Sequence, residues 1–345
     1  MWSPTGERPL AENSIISVAV HDLKKDADKF DIALGKSNLK VTEPVQRLVD
    51  VLDKLYGRRT SKSHGKFSDD EDNYPTQRHL REYVEAEEKD FATLTESLMK
   101  TLAVNAQTKA AATGGHVFFA HFTRDERHYL MVAIVTDTLS AALTQQNDVH
   151  DVAHLDIEGF RFAGRINITG WANKEDRYIG FLKGKGNVAE YFQAFLGCID
   201  SVQEKADTKN LVEALMSFAD DKSLKPEAKT AFLTKAKEIC DRAAFKREEL
   251  SFDALTNELL PEDPGSLRDY LANPDLKLND WFIPNRAVLN TLVRFKGRTD
   301  HWSLEFDRKA IQEGEVTYDP ENQTLTLRNL PAELKDRLSG EFEDA

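Results

Sequence analysis

Histidines and carboxylates are the side chains with the widest chemical reach, and their spacing sets what they could do here. His150 and His154 in His150-Asp151-Val152-Ala153-His154 are four residues apart, which on a helix places two metal ligands on one face. The glutamate inside a His-Glu-x-x-His pattern is missing, so packed or solvated histidines are the expectation. His116, His121 and His128 straddle a proposed hairpin, and positions 116 and 121 point to opposite faces of a strand, which does not suit a shared ion. Asp156 with Glu158, and Glu305-Phe306-Asp307-Arg308-Lys309, look like fragments of a nuclease centre. Such pairs arise freely among 59 acidic residues, and neither has a partner at metal-ligand spacing. There is no Gly-x-Ser-x-Gly elbow, no Gly-x-Gly-x-x-Gly opening a helix and no Cys/His nucleophile arrangement. The expectation is a protein with no catalytic residue, no metal and no cofactor.

Positive charge is the other chemistry on offer. The formal net charge is −13, which argues against coating nucleic acid with the whole surface. Local patches remain open, and three windows stand out. Residues 54–68 hold Lys54, Arg58, Arg59, Lys62 and Lys66 with no acid, together with Ser61, Ser63, His64 and Gly65, and read as a mobile loop able to follow phosphates. Residues 159–189 hold Arg161, Arg165, Lys174, Arg177, Lys183 and Lys185 against Glu175 and Asp176. Residues 281–299 hold Arg286, Arg294, Lys296 and Arg298 against none. Asp69-Asp70-Glu71-Asp72 follows the first window and could neutralise it in cis. Lys183-Gly184-Lys185-Gly186 combines close backbone approach with charge but lacks P-loop spacing. Basic loops are commonly just solvated, so each island is a candidate rather than an assignment. No aromatic–basic alternation of the kind that stacks single-stranded bases is evident, so weakly sequence-selective, salt-sensitive duplex contact is the mode such islands favour.

These side chains need elements to position them. Residues 1–13 read as a flexible lead-in and Ile15–Val20 as a first strand. A helix follows from Thr42 to Gly57, with Pro44 in its first turn. The stretch 58–75 reads as polar loop, and a second helix runs from about Gln77 past residue 100 with Leu80, Val84, Phe91, Leu94 and Leu98 as its stripe. His116–Phe122 and Tyr129–Val135, joined by Arg124–Arg127, suit a hairpin of strands buried on both faces, which Phe160–Ile168 and Tyr178–Leu182 would extend. Helices are expected near 188–199, 208–221 and 226–244. Trp302–Phe306, Val316–Tyr318 and Thr324–Leu327 read as strands before a last helix at 331–342. The fold class expected is α+β: a mixed or antiparallel sheet domain over 14–190, a helical middle over 191–275 and a small α+β region over 276–345. The apolar runs are far shorter than the ~20 residues that span a bilayer. The start has no signal-peptide pattern, and Cys198 and Cys240 read as reduced thiols, so the cytoplasm is the expected compartment.

One ordered series of segments is specific. Gly115-His116-Val117-Phe118-Phe119, Tyr129–Ala133, His154–Ile157, Arg165-Ile166-Asn167-Ile168, Trp171, Arg177–Lys185 and Val188–Gly197 occur in the order seen in bacterial nucleoid-associated proteins of the NdpA/YejK type, which this chain resembles from about residue 15 to about 330. That resemblance implies association with the nucleoid, binding of double-stranded DNA, a role in chromosome organisation, and contact with chromosome-maintenance enzymes such as type II topoisomerases. It carries no catalytic residues and no defined DNA-contact motif. Two other readings stay open: an acidic adaptor or DNA mimic acting on DNA-handling enzymes, and a metal-dependent nuclease. A homodimer is expected on physical grounds, since two copies of each island would reinforce weak single-site binding.

Overall fold

The structure is a computed structural model describing residues 13–27, 29–35, 38–85, 90–109, 112–143, 145–183, 190–200 and 203–342. The chain divides into two compact units. Unit 1 comprises residues up to Gln203 together with Arg268–Trp281, and unit 2 comprises Glu204–Leu267 together with Phe282 onward.

Unit 1 holds, in order, β1 (Ser14–Asp26), β2 (Lys29–Ala33), α1 (Glu43–Arg58), β3 (Lys62–Phe67), α2 (Thr76–Glu85), α3 (Phe91–Gln107), β4 (Gly115–Arg124), β5 (Arg127–Val135), β6 (Asp137–Leu143), β7 (Val149–Leu155), β8 (Phe162–Asn167), α4 (Ile168–Ala172), β9 (Ile179–Leu182), α5 (Glu190–Leu196) and β10 (Cys198–Asp200). Eight of the strands form one antiparallel sheet in the order β10-β3-β9-β8-β5-β4-β1-β2. Its centre is the expected hairpin. Asp125 and Glu126 both take left-handed φ values, 50° and 62°, as the two-residue turn between twisted strands demands.

The runs of β4 and β5 are apolar on both sides because both sheet faces are covered. Val117, Phe119, Leu130, Val132 and Ile134 pack with Leu94, Leu98 and Leu102 of α3 and Phe192 and Phe195 of α5. The alternate residues Phe118, Phe122, Tyr129, Met131 and Val135 pack with Val49, Leu52 and Tyr56 of α1. Truncating one such phenylalanine, for example Phe119 with no exposed surface, would cost about 3–5 kcal/mol.

Three local expectations need correction. The polar stretch 58–75 contains β3, an interior strand of the sheet. It lacks apolar alternation because its inward side chains are Lys62 and His64, which find polar partners instead of an oily core. Gly65 is required there, since a Cβ would collide with the Ile199 carbonyl oxygen of neighbouring β10. The long second helix is two helices, with Asp90 capping α3 by accepting from the Thr93 amide at 2.8 Å. The end of the helix expected near 188–199 is strand β10 instead. Residues 149–155, which the sequence pattern assigns to no element, form a strand. β6 and β7 make a separate two-stranded arm, with Leu139, Leu143 and Val149 about two-thirds exposed or more.

Unit 2 begins with α6 (Glu204–Asp221), α7 (Pro226–Lys246) and α8 (Phe252–Leu259), and continues through α9 (Pro264–Leu271), whose last turn belongs to unit 1, to α10 (Arg286–Leu289). It ends with β11 (Arg294–Arg298), β12 (Ser303–Asp307), α11 (Arg308–Gln312), β13 (Val316–Asp319), β14 (Thr324–Leu327) and α12 (Ala332–Phe342). Leu211, Leu215 and Phe218 of α6 are buried, as are Phe232, Leu233 and Ala236 of α7, and the Phe218 and Phe232 rings stand 5.8 Å apart. The fold is α+β, as the pattern of strands, then helices, then small strand pairs predicts. No helix among the described residues is long and apolar enough to cross a membrane. Cys198 and Cys240 are buried thiols.

Candidate nucleic-acid interface

Strand register decides which basic residues meet. β3 runs antiparallel to β9, with Lys62 opposite Leu182, and β9 runs antiparallel to β8, with Gly164 opposite Phe181. The start of β3, the end of β9 and the start of β8 therefore share one end of the sheet. The Lys183 amide donates to the Ser61 carbonyl at 2.9 Å, and the Ser61 hydroxyl donates back to the Lys183 carbonyl. Arg59 donates to the Glu158 carbonyl at 2.6 Å and lies 5.6 Å from the Phe160 ring centre. Arg161 is exposed one residue before β8, and Lys54 and Arg58 are exposed on one face of the last turns of α1. Five cations from two distant windows, Lys54, Arg58, Arg59, Arg161 and Lys183, thus gather at one end of the sheet of unit 1. All but half-buried Lys183 are exposed.

The other basic residues have different fates. Lys62, Arg165 and Arg177 are 2 %, 6 % and 5 % exposed, so they are withdrawn from any phosphate-facing surface. The Lys62 ammonium donates to the carbonyls of Gly57 (3.1 Å), Arg59 and Ala272 (2.7 Å), closing the C-terminal end of α1. Burial, and then the Arg165 charge, lower its pKa to about 7. Arg165 meets Asp53 at 3.2 Å and lies 4.7 Å from the Tyr129 ring centre, while Arg124 reaches the same Asp53 at 2.8 Å. Asp53 is itself 5 % exposed, so this is a buried carboxylate clamped by two guanidiniums. Lys66 is exposed at the opposite end of β3, and Lys174 is exposed beyond α4. Lys185 lies outside the described residues.

In unit 2 the third window is a ribbon. Arg294, Lys296 and Arg298 are exposed on one face of β11, but β12 sets Asp307, Glu305 and Ser303 directly opposite them. Arg294 meets Glu305 at 2.9 Å and Lys296 meets it at 4.0 Å. Arg286 is exposed and 3.7 Å from Asp241. A window free of acids in sequence is therefore partly neutralised in space, Arg294 and Lys296 sharing Glu305 while Arg298 faces Ser303.

The acidic run after β3 does not shadow the five-cation end. Asp69–Asp72 lies beyond the far end of β3, ~20 Å along the strand from Arg59. Its carboxylates build a turn: Asp70 accepts from Asn73, Glu71 pairs with Arg81, and Asp72 lies 3.8 Å from Arg78.

The histidines split in a way the sequence does not reveal. His121 and His128 share a 3.0 Å hydrogen bond across the hairpin, and Tyr83 meets His121 at 2.8 Å. His116 lies apart, between Asp22 (2.6 Å) and Asp137 (3.1 Å). His150 and His154, now on β7, are ~13 Å apart along the strand, too far to share an ion. No group of three His, Cys, Asp or Glu side chains among the described residues is arranged to hold a metal. His64 is the site residue whose environment sequence alone does not disclose. It is fully enclosed, and burial followed by the charges of Lys62, Arg165 and Arg177 lowers its pKa to about 3. The only prior signal was a histidine next to a glycine in a polar stretch.

Comparison with known proteins assigns the chain. The family described as nucleoid-associated protein YejK matches residues 19–335. The chain belongs to that family. A nucleoid-associated protein of Metapseudomonas resinovorans is 28 % identical over 327 residues, covering 93 % of this chain and 98 % of its own length. One from Pseudomonas entomophila (strain L48) is 29 % identical over 324 residues, covering 92 % and 95 %. One from Azotobacter vinelandii is 28 % identical over 325 residues, covering 92 % and 96 %. Relatives covered over 95–98 % of their own length carry residues of both units of this chain into a nucleoid-associated family.

Proposed function

We propose that this protein is a non-catalytic, nucleoid-associated DNA-binding protein of the bacterial cytoplasm, acting in chromosome organisation. The five-cation end of unit 1 is its duplex contact. The observation that carries the reading is the convergence of Lys54, Arg58, Arg59, Arg161 and Lys183 from two windows about a hundred residues apart, with the nearby Glu158 carbonyl accepting from Arg59. Lysine and arginine side chains without base-edge partners read phosphate, so binding is weakly selective and falls with salt, with a slope near −0.9 per phosphate neutralised. The net charge of −13 confines contact to that patch. An electrophoretic shift across a salt series tests it: Arg58→Glu with Arg59→Glu lowers affinity and flattens the slope by ~2, and an unchanged slope removes the patch.

The acidic surface favours a second, compatible role as an adaptor for basic DNA-handling enzymes such as a type II topoisomerase. It predicts capture of purified topoisomerase by the wild-type protein without DNA. Homodimer formation would double the patch and raise avidity, and a mass measurement in solution tests it.

A further inference from the structure

The β6–β7 arm leaves unit 1 at the end of the sheet where the five cations gather. The end of β5 pairs with the start of β8, Ile134 opposite Phe162, and the chain runs from β5 into β6 and from β7 back to β8. The base of the arm is fixed. The Asp156 amide donates to the Thr136 carbonyl at 2.8 Å, and His116 meets Asp137 at 3.1 Å while meeting Asp22 of β1 at 2.6 Å. Beyond that base, seven paired residues reach ~23 Å. Register sets Leu139 beside Ala153, Ala141 beside Asp151 and Leu143 beside Val149, so one face is largely apolar. It is also bare: Leu139, Leu143 and Val149 are 69 %, 66 % and 72 % exposed.

The two edges of the ribbon differ. Free strand edges are commonly blunted by charge, proline or a bulge. β7 carries His150, Asp151 and His154. β6 carries Asp137 at its base and then Thr138-Leu139-Ser140-Ala141-Ala142-Leu143, with no charge, proline or glycine. No strand among the described residues pairs with the outer edge of β6. That edge is long, uncharged and open.

Charge decides what can cover it. From Asp137 to Leu155 there is no Lys or Arg, whereas Asp137, Asp148 and Asp151 are acidic. A ribbon of that kind repels phosphate, so it is not a second duplex contact. The β6 edge fits itself instead. Antiparallel pairing of two copies about Ser140 sets Leu139 opposite Ala141, Thr138 opposite Ala142 and Asp137 opposite Leu143. No like charges meet, and the two Leu139 side chains become diagonal neighbours on one face. Standard interfaces take ~800 Å² per partner from ~20–30 residues, so two strands of seven residues supply ~450 Å² per copy and ~900 Å² in a symmetric pair. That area suits a weak, reversible dimer.

We propose that the outer edge of β6 pairs antiparallel with β6 of a second copy about a two-fold axis at Ser140, joining two arms into one four-stranded sheet. This rests on the homodimer reading above and names its surface. The charged β7 edges then lie outermost and limit further growth. Because each arm leaves from a five-cation end, pairing holds two such ends about one arm length apart, ~23 Å, so that one duplex meets both.

Sedimentation of the full-length protein over about 1–100 µM, the range that a contact of ~900 Å² supports, tests it. The mass should rise with concentration from 39.0 kDa toward twice that value. Leu139→Lys/Ala141→Lys sets lysines opposite one another and should weaken the dimer about tenfold or more. Its melting temperature should not change, because both side chains are exposed. Val149→Lys, on the strand that stays outside, should weaken the dimer less than about threefold. Cross-linking reads the register directly. Ser140 faces its own counterpart with Cα atoms ~5 Å apart, so Ser140→Cys should join two chains on mild oxidation. Thr138 stands ~13 Å from its counterpart, so Thr138→Cys should not. Native Cys198 and Cys240 are buried and do not compete. A monomer at every concentration would remove the arm contact and the homodimer reading together. A dimer undiminished by Leu139→Lys/Ala141→Lys, or Ser140→Cys cross-linking no better than Thr138→Cys, would overturn the arm contact and leave the homodimer standing.

Discussion

Arg161 and Arg165 are four residues apart and have opposite fates. Arg161 stands in solvent at one end of the sheet, whereas Arg165 is 6 % exposed, clamped to Asp53 and stacked on Tyr129. Arg59 and Lys62 repeat the contrast at the start of β3, which β9 separates from β8. The boundary is the point where a strand enters the sheet. Outside it a cation keeps its hydration and can trade counterions for phosphates. Inside it the same residue type must satisfy every donor internally and becomes part of the architecture. A count of basic residues in a window therefore overstates what nucleic acid can reach.

The largest effect that would break this comparison is on the buried side. Asp53→Ala removes the nearer and more buried of the two carboxylates that Arg124 and Arg165 share, leaving them only Asp275 at 3.8 and 3.7 Å, and should destabilise unit 1 by ~3–5 kcal/mol in denaturant unfolding. A loss below ~1 kcal/mol would place Arg165 among ordinary surface cations. Next comes the strand that carries Lys62 and His64 inward. Gly65→Ala should cost ~1–3 kcal/mol, because the new methyl meets the β10 backbone rather than a flexible side chain. Wild-type stability in that variant would mean that β3 and β10 do not pair closely.

The pH response sharpens the contrast further. His121 is lowered to about 4 by burial and then by His128, and His64 to about 3 by burial and then by its cationic neighbours. Both are neutral in the fold, while an unfolded histidine takes a proton below ~6.5. The unfolded chain therefore binds more protons in the window from ~6.5 down to the folded values, and stability present above ~6.5 is lost as pH falls through it. Melting temperature should drop from about pH 7.5 to about pH 5, with a shallower drop in His121→Asn. An identical drop in that variant would contradict the assignment. The smallest effect on stability is at the exposed end, where Arg58→Glu/Arg59→Glu should stay within ~0.5 kcal/mol of wild type while altering DNA affinity.

The legible parts of the molecule were those written in apolar periodicity. The β4–β5 hairpin, the extending strands β8 and β9, helices α1, α6 and α7, strand β12 and the last strand pair follow directly from where Phe, Leu, Ile and Val fall, whereas β11 was hidden within a basic window. β3 was illegible because its buried positions are Lys62, Ser63 and His64, whose partners Ala272 and Asn279 lie some two hundred residues away. The same long-range return of segment 268–281 brings Lys277 to Glu175, which no local pattern foretells. For the basic islands, residue type was readable and exposure was not. The acids opposite β11 enter only through cross-strand pairing with β12.

Duplex binding measured over a salt series, for the wild type, for Arg58→Glu/Arg59→Glu/Lys183→Glu and for Arg294→Glu/Lys296→Glu, tests the central claim most directly. The sheet-end triple variant should lose ~3 from the magnitude of the log–log slope, and the ribbon variant, whose cations already face Glu305, should lose less than ~1. Equal losses in the two variants, or a larger loss in the ribbon, would contradict the account.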